Sequence, residues 1–477
     1  MTQAGRGTEQ VDVVVVGSRC AGSATAIALA RRGRRVVALD GAAFPSDTLS
    51  THLFFPNHWA ELRRLGAMER VMALEPPLHT RAGLAAPGVD VLGPFNPVDG
   101  IVYGSCVRRP GLDLALVETA REAGAEIRER VRVTALVRDA RGRVTGVRWR
   151  SRDGQEATIM AKLVVGADGR ASTVADLVGT RAHHECENRR LMAYAYFDDP
   201  REDERHIAMQ WREGRELATV FPCDGGQSVV LLMSPATRAP EYRRDPNATF
   251  DETVAALEPL ARRLEGCVRA TKVRTSYRHP AYFRHSHGPG WALTGDAGHF
   301  KDPVTAQGIR DALRFGRLLG EAAAPVLDDP AALHRALEAW EHDRDAQCLD
   351  MYQWANGLGL DDDVSPIERA AYRWFAGRPG GPSEVLDVFS RRRRSTAVFT
   401  PARVVRWVRD AARDPDVPAG ELWRTLRRDA RRELARRREH AAFARRRAAS
   451  AAQLAAQAPG SVPAPATAAR PVGAVST

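Results

Sequence analysis

The stretch VDVVVVGSRCAGSATAIALARRGRRVVALD, residues 11–40, decides the fold. Residues 11–16 are an almost unbroken β-branched run, as expected of a parallel strand buried on both faces. A glycine-containing turn follows, and the Ala-rich residues 24–32 predict a helix that Gly33 stops. Residues 35–40 are a second strand, so strand, turn, helix and strand complete one βαβ unit. Gly17 suits a tight turn out of the first strand, and Gly22 suits close helix–strand packing. The helix N-terminus between them offers free N–H groups and partial positive charge to a pyrophosphate. Asp40 closes the second strand, where a carboxylate accepts hydrogen bonds from ribose hydroxyls. Arg19 stands where this pattern has its middle glycine. In a left-handed backbone it costs ~1–2 kcal/mol and crowds the pyrophosphate; swung outward, it adds positive charge.

Beyond this unit, Pro45 and Pro56 punctuate a loop and helix over residues 44–65. Residues 111–124 predict a helix, residues 126–149 strands about a turn at Arg141-Gly142-Arg143, and residues 162–166 a short buried strand. That strand runs into GADGRAS, residues 166–172. From about 181 to 285, alternation such as SVVLLM (residues 228–233) predicts a second, sheet-rich domain. A further strand, WALT at 291–294, leads into GDAGHFKDP (295–303) and then TAQGIRDA (305–312). Both later motifs place an Asp just after a strand end and a Gly, where open parallel sheets bind ligands. Each taken by itself favours a plain strand–turn–helix junction. Long helices are predicted over 308–324 and 331–357, and further ones over 402–412 and 420–450.

In this order and spacing the three motifs resemble the flavoprotein monooxygenases of the p-hydroxybenzoate hydroxylase fold (group A). They also resemble the related geranylgeranyl reductases and flavin-dependent halogenases; the likeness covers residues 11–349. The resemblance implies an FAD cofactor, with NAD(P)H as co-substrate. It places Gly17, Arg19, Cys20, Ala21, Gly22 and Asp40 at the adenosine end, and Arg109 beside the pyrophosphate. Asp168 and Gly169 match the second fingerprint, which serves FAD and NAD(P)H alike. Gly295 and Asp296 match the ribityl-binding turn, and Pro303 the proline lining the flavin face. Gln307, Gly308 and Ile309 match the helix start that approaches the flavin N1 and O2 edge. Reduced flavin carries negative charge near N1, and a helix N-terminus stabilises such charge by ~0.3–2 kcal/mol. That favours the anionic reduced state that reacts with oxygen. Some residues depart from the pattern. Thr173-Val174-Ala175 stand where many relatives end in arginine, and the stretch after Pro303 is shorter than in the monooxygenases and closer to the reductases and halogenases. The W-x-W-x-I-P stretch of tryptophan halogenases is missing, as is a lysine near residue 80.

SDTLSTH, residues 46–52, follows the second strand, where relatives keep a loop close to the flavin; uncharacterised FAD-dependent oxidoreductases share the run. His52 is a candidate proton-transfer group, with a loop histidine of structural role as the alternative. Neither His183-His184-Glu185-Cys186 nor His285-Ser286-His287 has a companion cluster at zinc spacing, so no metal is expected. The six cysteines are scattered and predict buried thiols rather than disulfides.

The formal net charge is +11, but nineteen arginines face seven acids between Arg391 and Arg447, which leaves the rest near neutral. Only Lys162, Lys272 and Lys301 are lysines, and so strong an arginine bias looks compositional. Leu422, Leu426, Ala430 and Leu434 form an apolar stripe, as in a helix docked on its own domain with a solvated arginine face. A nucleic-acid, acidic-lipid or protein partner for this segment is the less favoured alternative. No apolar run approaches the ~20 residues of a membrane span. The polar start, residues 1–10, has no signal-peptide core, so a cytoplasmic protein is expected.

The expected fold is α/β: a Rossmann-like FAD-binding domain (residues 1–80, 101–180 and 286–350), an inserted mixed β-sheet substrate domain (81–100 and 181–285), a C-terminal helical extension (351–450) and a disordered tail (451–477). The expected activity is FAD-dependent monooxygenation, with NAD(P)H and O2, that hydroxylates or epoxidises a small organic substrate. The alternatives are an FAD-dependent alkene reductase and, in another class, a flavin-binding scaffold with a basic interaction segment.

Overall fold

A computed structural model describes residues 8–456 of the chain. The strand Glu9–Val16 lies between Val36–Leu39 and Glu156–Gly166, parallel to both, and Trp291–Leu293 extends the parallel sheet beyond Glu156–Gly166. On the other side Glu126–Arg128 pairs with Val36–Leu39. The strand order therefore reverses between Glu9–Val16 and Glu156–Gly166, the point at which open α/β sheets bind ligands. Val13, Val14, Val15, Leu163, Val164 and Val165 are fully buried, as strands covered on both faces require. The register sets Val16 opposite Gly166 and Gly166 opposite Leu293, so three strand ends stop side by side.

The first helix, Cys20–Ala30, begins before the Ala-rich run that announced it. Every residue from Cys20 to Leu29 is buried, because the helix packs on the sheet and on Gly308–Ala323. A Cβ on Gly316 meets the Ala21 carbonyl at 2.5 Å, and one on Gly320 meets Ala28 Cβ at 2.7 Å, so these glycines let the helices touch backbone to backbone.

The second sheet runs Val268–Arg269, Met192–Asp198, Gln227–Leu232, Glu216–Pro222, Ile207–Glu213, Arg81–Ala86, Val89–Pro94. Its two faces follow the two-residue period of a strand. Met192, Tyr194 and Tyr196 turn to one core, and Ala193, Ala195 and Phe197 to another. The second core is closed by three helices within the segment expected to be sheet, Ala239–Arg244, Pro246–Ala256 and Glu258–Arg263. Each carries a proline in its first turn, and Asp245 caps the middle one.

After the long helix Pro330–Leu358, the helices Pro366–Ala376 and Gly381–Phe389 pack on Val89–Pro94 and share its core through Ile367, Phe375, Leu386 and Phe389. This region is thus a wall of the second sheet's core rather than an appendage to it. Leu422 and Leu426 pack on the same core, but Ala430 is exposed and Leu434 is 50% exposed. Of the stripe's members within the first compact unit, Leu422 and Leu426 therefore dock and Ala430 does not. Arg391, outside the helix that bears the stripe, is turned inward, and its side chain is only 12% exposed. One compact unit ends at Ala430 and a second begins at Arg431, within the helix Ala419–Ala456. Residues 451–456, expected to be disordered, continue that helix; the rest of the expected tail, 457–477, lies outside the described residues.

A Cβ on Gly22 falls 1.8 Å from the Gly17 carbonyl oxygen, so any side chain pushes the first helix off its strand. Gly22→Ala is expected to cost about 1–3 kcal/mol of stability as overpacking. A melting temperature equal to the parent's contradicts this packing argument.

Candidate functional site

Because the three strand ends are level, the turns after them open side by side. Gly17 N donates to Leu39 O (2.8 Å), Ala167 N to Val16 O (2.7 Å) and Thr294 N to Gly166 O (2.9 Å). Each turn is therefore bonded to the end of its neighbour, and all three line one cavity of about 1080 Å³. Of the residues expected from sequence, Gly17, Arg19, Cys20, Ala21 and Asp40 border it at one motif, and Asp168 and Gly169 at the second. Gly295, Asp296, Pro303, Gly308 and Ile309 border it at the third, and Arg109 joins them from the helix Arg109–Glu122. Gly22, His52 and Gln307 do not reach the cavity surface. Gly22 lies behind Gly17, and the Gln307 side chain turns away to Thr305 O and Phe389 O.

Gly17 has φ +92°, and a Cβ there would meet the Ala167 carbonyl at 2.5 Å, so the turn requires glycine twice over. Arg19, by contrast, is extended (φ −77°, ψ −161°), and the position tolerates a side chain. Its guanidinium swings to Asp113 and to Ser46 O and Oγ (3.1 and 3.0 Å), which settles the crowding question. Asp113, fully buried, also takes Arg109 Nη2 at 2.8 Å. Burial works against the charge of Arg109, but Cys20, Asp113 and Asp296 raise its pKa above the ordinary arginine value. Asp40 accepts from Ser18 N at 2.7 Å and Ala42 N at 2.8 Å. Asp168 accepts from Ser172 Oγ at 2.5 Å and Val174 N at 3.1 Å, so it organises its own turn, while burial raises its pKa.

Two helix N-termini, those of Cys20–Ala30 and Gly308–Ala323, open onto the cavity, and each supplies backbone N–H groups with no intrahelical partner. A Cβ on Gly308 meets nothing within 4 Å, so its amide is approachable. Among the described residues none donates a hydrogen bond to the Asp296 carboxylate, whose pKa is raised by burial against the pull of Lys301, Arg170 and Arg109. A half-buried acceptor with no donor among the described residues, lining a cavity with two amide clusters, fits a dinucleotide with hydroxyls between its phosphates and its ring.

Sequence reasoning missed the charged floor beneath Gly308. Lys301 lines the cavity and pairs with Asp311, which also takes Arg310 and Arg391. Burial alone would raise the Asp311 pKa, but these three cations hold it well below the carboxylate range. Lys301 had a signal: it is one of three lysines in an arginine-dominated chain, and it lies inside a motif.

The run 46–52 lines the cavity with residues 48–51, while His52 is buried behind it at φ 61° with Nε2 2.9 Å from Tyr196 Oη. His279 lines the cavity, with Nδ1 2.9 Å from Arg170 Nη1 and Nε2 3.1 Å from Ser276 O. His287 Nδ1 meets Glu341 at 2.6 Å, and His183 stacks on Phe283. Among the described residues, two groups offer three potential metal ligands each: His287, His334 and Glu338, and His299, Asp311 and Cys348. In the second, a cation would contend with the lysine and two arginines already on Asp311. Beside the main cavity, sharing Thr51, Pro303 and Ala306 with it, runs an apolar slot walled by Leu53, Phe55, Phe221, Leu386 and Phe389.

Burial, and in each case a nearby arginine, lowers the pKa of His52, His79 and His279 to about 4 and that of His58 to about 3. These groups stay neutral in the folded protein while the unfolded chain binds protons from near pH 6.5. Stability is therefore complete above that pH and falls as pH drops toward 4, by about 1.4 kcal/mol per unit for each histidine. A melting temperature several degrees lower at pH 5 than at pH 7 is expected, and equal values would rule this linkage out.

A family model described as an FAD binding domain matches residues 10–355. Menaquinone reductase of Mycolicibacterium smegmatis is 30% identical over 325 residues, covering 65% of this chain and 76% of that protein. Digeranylgeranylglycerophospholipid reductase of Methanosarcina acetivorans is 26% identical over 378 residues, covering 76% and 84%. In fold the chain is similar to a flavin-dependent brominase (TM-score 0.70, 18% identity, 85% of this chain and 99% of that one). It is also similar to a probable FAD-dependent monooxygenase of Pseudomonas aeruginosa (TM-score 0.61, 20% identity, 74% and 95%). With the family model spanning most of its length and its three motifs around one cavity, the chain belongs to this FAD-binding family and is an FAD-dependent oxidoreductase.

Proposed function

We propose that the protein reduces a carbon–carbon double bond in an apolar organic substrate, with bound FAD supplying the hydride and NAD(P)H replenishing it. The observation that carries this reading is the apolar character of the space on the sheet side of the Pro303–Thr305 turn. Met192, Tyr194 and Leu231 cover the cavity there, and no titratable side chain lines the adjoining slot. Such walls favour a hydrocarbon by about 25 cal/mol per Å² of apolar surface removed from water. The curated relatives support the same reading, since those compared above are reductases named for prenylated lipids. The sheet of Arg81–Pro94 and Met192–Ser276 is the proposed substrate-holding part, and Pro303 the residue between substrate and flavin. Gly17, Asp40, Arg109, Asp168 and Asp296 are the proposed FAD contacts. His52 is proposed to act through Tyr196 rather than by touching substrate, and the cytoplasm is the proposed location.

A second reading, monooxygenation with NAD(P)H and O2, draws support from the positive floor at Lys301 and the Gly308 amide. Both favour the anionic reduced flavin that reacts with oxygen.

Holoenzyme reduced with one equivalent of dithionite under anoxia and mixed with a polyprenyl lipid that carries no quinone ring distinguishes the two. The expected result is flavin reoxidation without oxygen and a product heavier by two hydrogens. Reoxidation only after oxygen is admitted, with a product heavier by one oxygen atom, overturns the reductase reading in favour of the monooxygenase.

A further inference from the structure

The family match stops at residue 355, yet an arginine from beyond it sits against the helix that starts at the cavity. Helix Gly381–Phe389 ends at Ser390, and Arg391 follows with φ 57°, a conformation that non-glycine residues adopt rarely. The turn aims its guanidinium at the first turn of Gly308–Ala323. Nε donates to Gln307 Oε1 at 2.9 Å, Nη2 to Asp311 Oδ2 at 3.1 Å and Nη1 to the Gln347 carbonyl at 3.2 Å. The Gln307 amide nitrogen donates in turn to the Phe389 carbonyl at 2.8 Å. Residues 389 and 391 thus hold the side chain of the helix-capping residue from both ends. Asp311 is already paired with Lys301 and Arg310, so three cations share one buried carboxylate at the helix start. Asp296 also acts on Lys301 and Asp350 on Arg391, so Arg391 is one of three cations set among carboxylates where solvent screening is weak, beside the first amides of Gly308–Ala323.

The adenosine half of a dinucleotide belongs at Gly17 and Asp40, at the switch point of the sheet. With FAD bound here, Pro303, Lys301 and Gly308 are the lining residues that would hold its ring end. We propose that Arg391 is a positioning residue for this flavin end: it fixes the Gln307 cap and adds charge beneath it, so that reduced FAD is bound more tightly relative to oxidised FAD. The proposal rests on FAD occupying this cavity, and not on which substrate it serves.

Holoenzymes carrying Arg391→Gln and Arg391→Lys are titrated anaerobically against reference dyes. Arg391→Gln is expected to lose at least tenfold in preference for reduced over oxidised FAD, a fall of about 30 mV for a two-electron couple. Arg391→Lys, which keeps the charge, is expected to retain most of that preference. If a variant sheds its cofactor, the apoprotein is titrated with oxidised FAD and, under anoxia, with dithionite-reduced FAD; a loss at least tenfold greater for the reduced form supports the proposal. A parental midpoint in Arg391→Gln, or equal losses for the two redox forms, overturns it, as does a parent chain with no affinity for FAD. Neither titration contains an organic substrate, so failure of the alkene-reduction reading leaves the result readable.

Discussion

The parallel register that sets Val16, Gly166 and Leu293 level with one another is the constraint on which the site depends. The motifs lie far apart in the chain and share no local element. They meet because three strands end at one edge and each turn donates its first amide to a neighbouring strand end. A slip of one residue in either pairing would carry one strand end, and the turn bonded to it, out of line with its neighbours. Gly17 and Gly22 serve the same constraint from the helix side, one by turning and one by letting the helix come close.

With the turns aligned, the site has to tolerate much buried charge. Two carboxylates do most of this work, each shared among several cations: Asp113 holds Arg19 and Arg109, and Asp311 holds Lys301, Arg310 and Arg391. Removing one partner from such a group typically costs 3–5 kcal/mol, because the remaining charge is stranded. The arrangement leaves the cavity positive at both helix N-termini. Its one carboxylate without a protein donor, Asp296, sits among the residues that border the third turn. A phosphate-bearing nucleotide with ribityl and ribose hydroxyls meets such a distribution of donors and acceptors.

Much of this was legible from the chain. Residues 11–40 specified a βαβ unit by period and punctuation, and the later motifs could be placed because each followed a short buried strand. The remainder was hidden for physical reasons. Arg19 looked like a defect because the sequence does not report ψ, and an extended backbone removes the need for glycine. The helices within residues 239–263 carry Pro240, Pro246 and Pro259 at their starts, but the alternation of the flanking strands masked them. Asp113 and Asp311 lie one helical turn past residues already flagged, at Arg109 and Gly308, yet their role depends on partners distant in sequence. Arg391 was inseparable from the arginines around it, since composition gives no hint of which one the fold turns inward.

The segment after residue 355 contributes to both halves of the site. Leu386 and Phe389 wall the apolar slot, and two residues later Arg391 reaches the cofactor helix. One short helix, Gly381–Phe389, therefore connects the apolar slot to the charged cluster beneath Gly308, with the Phe389 carbonyl bonded to Gln307 between them. A shift of that helix to admit a bulkier group would move the Gln307 clamp with it, because the bond is to backbone and cannot be kept by a side-chain rotation. The apolar slot and the electrostatics of the Gly308–Ala323 helix are in this way mechanically linked, through residues 386–391, which lie beyond the family match.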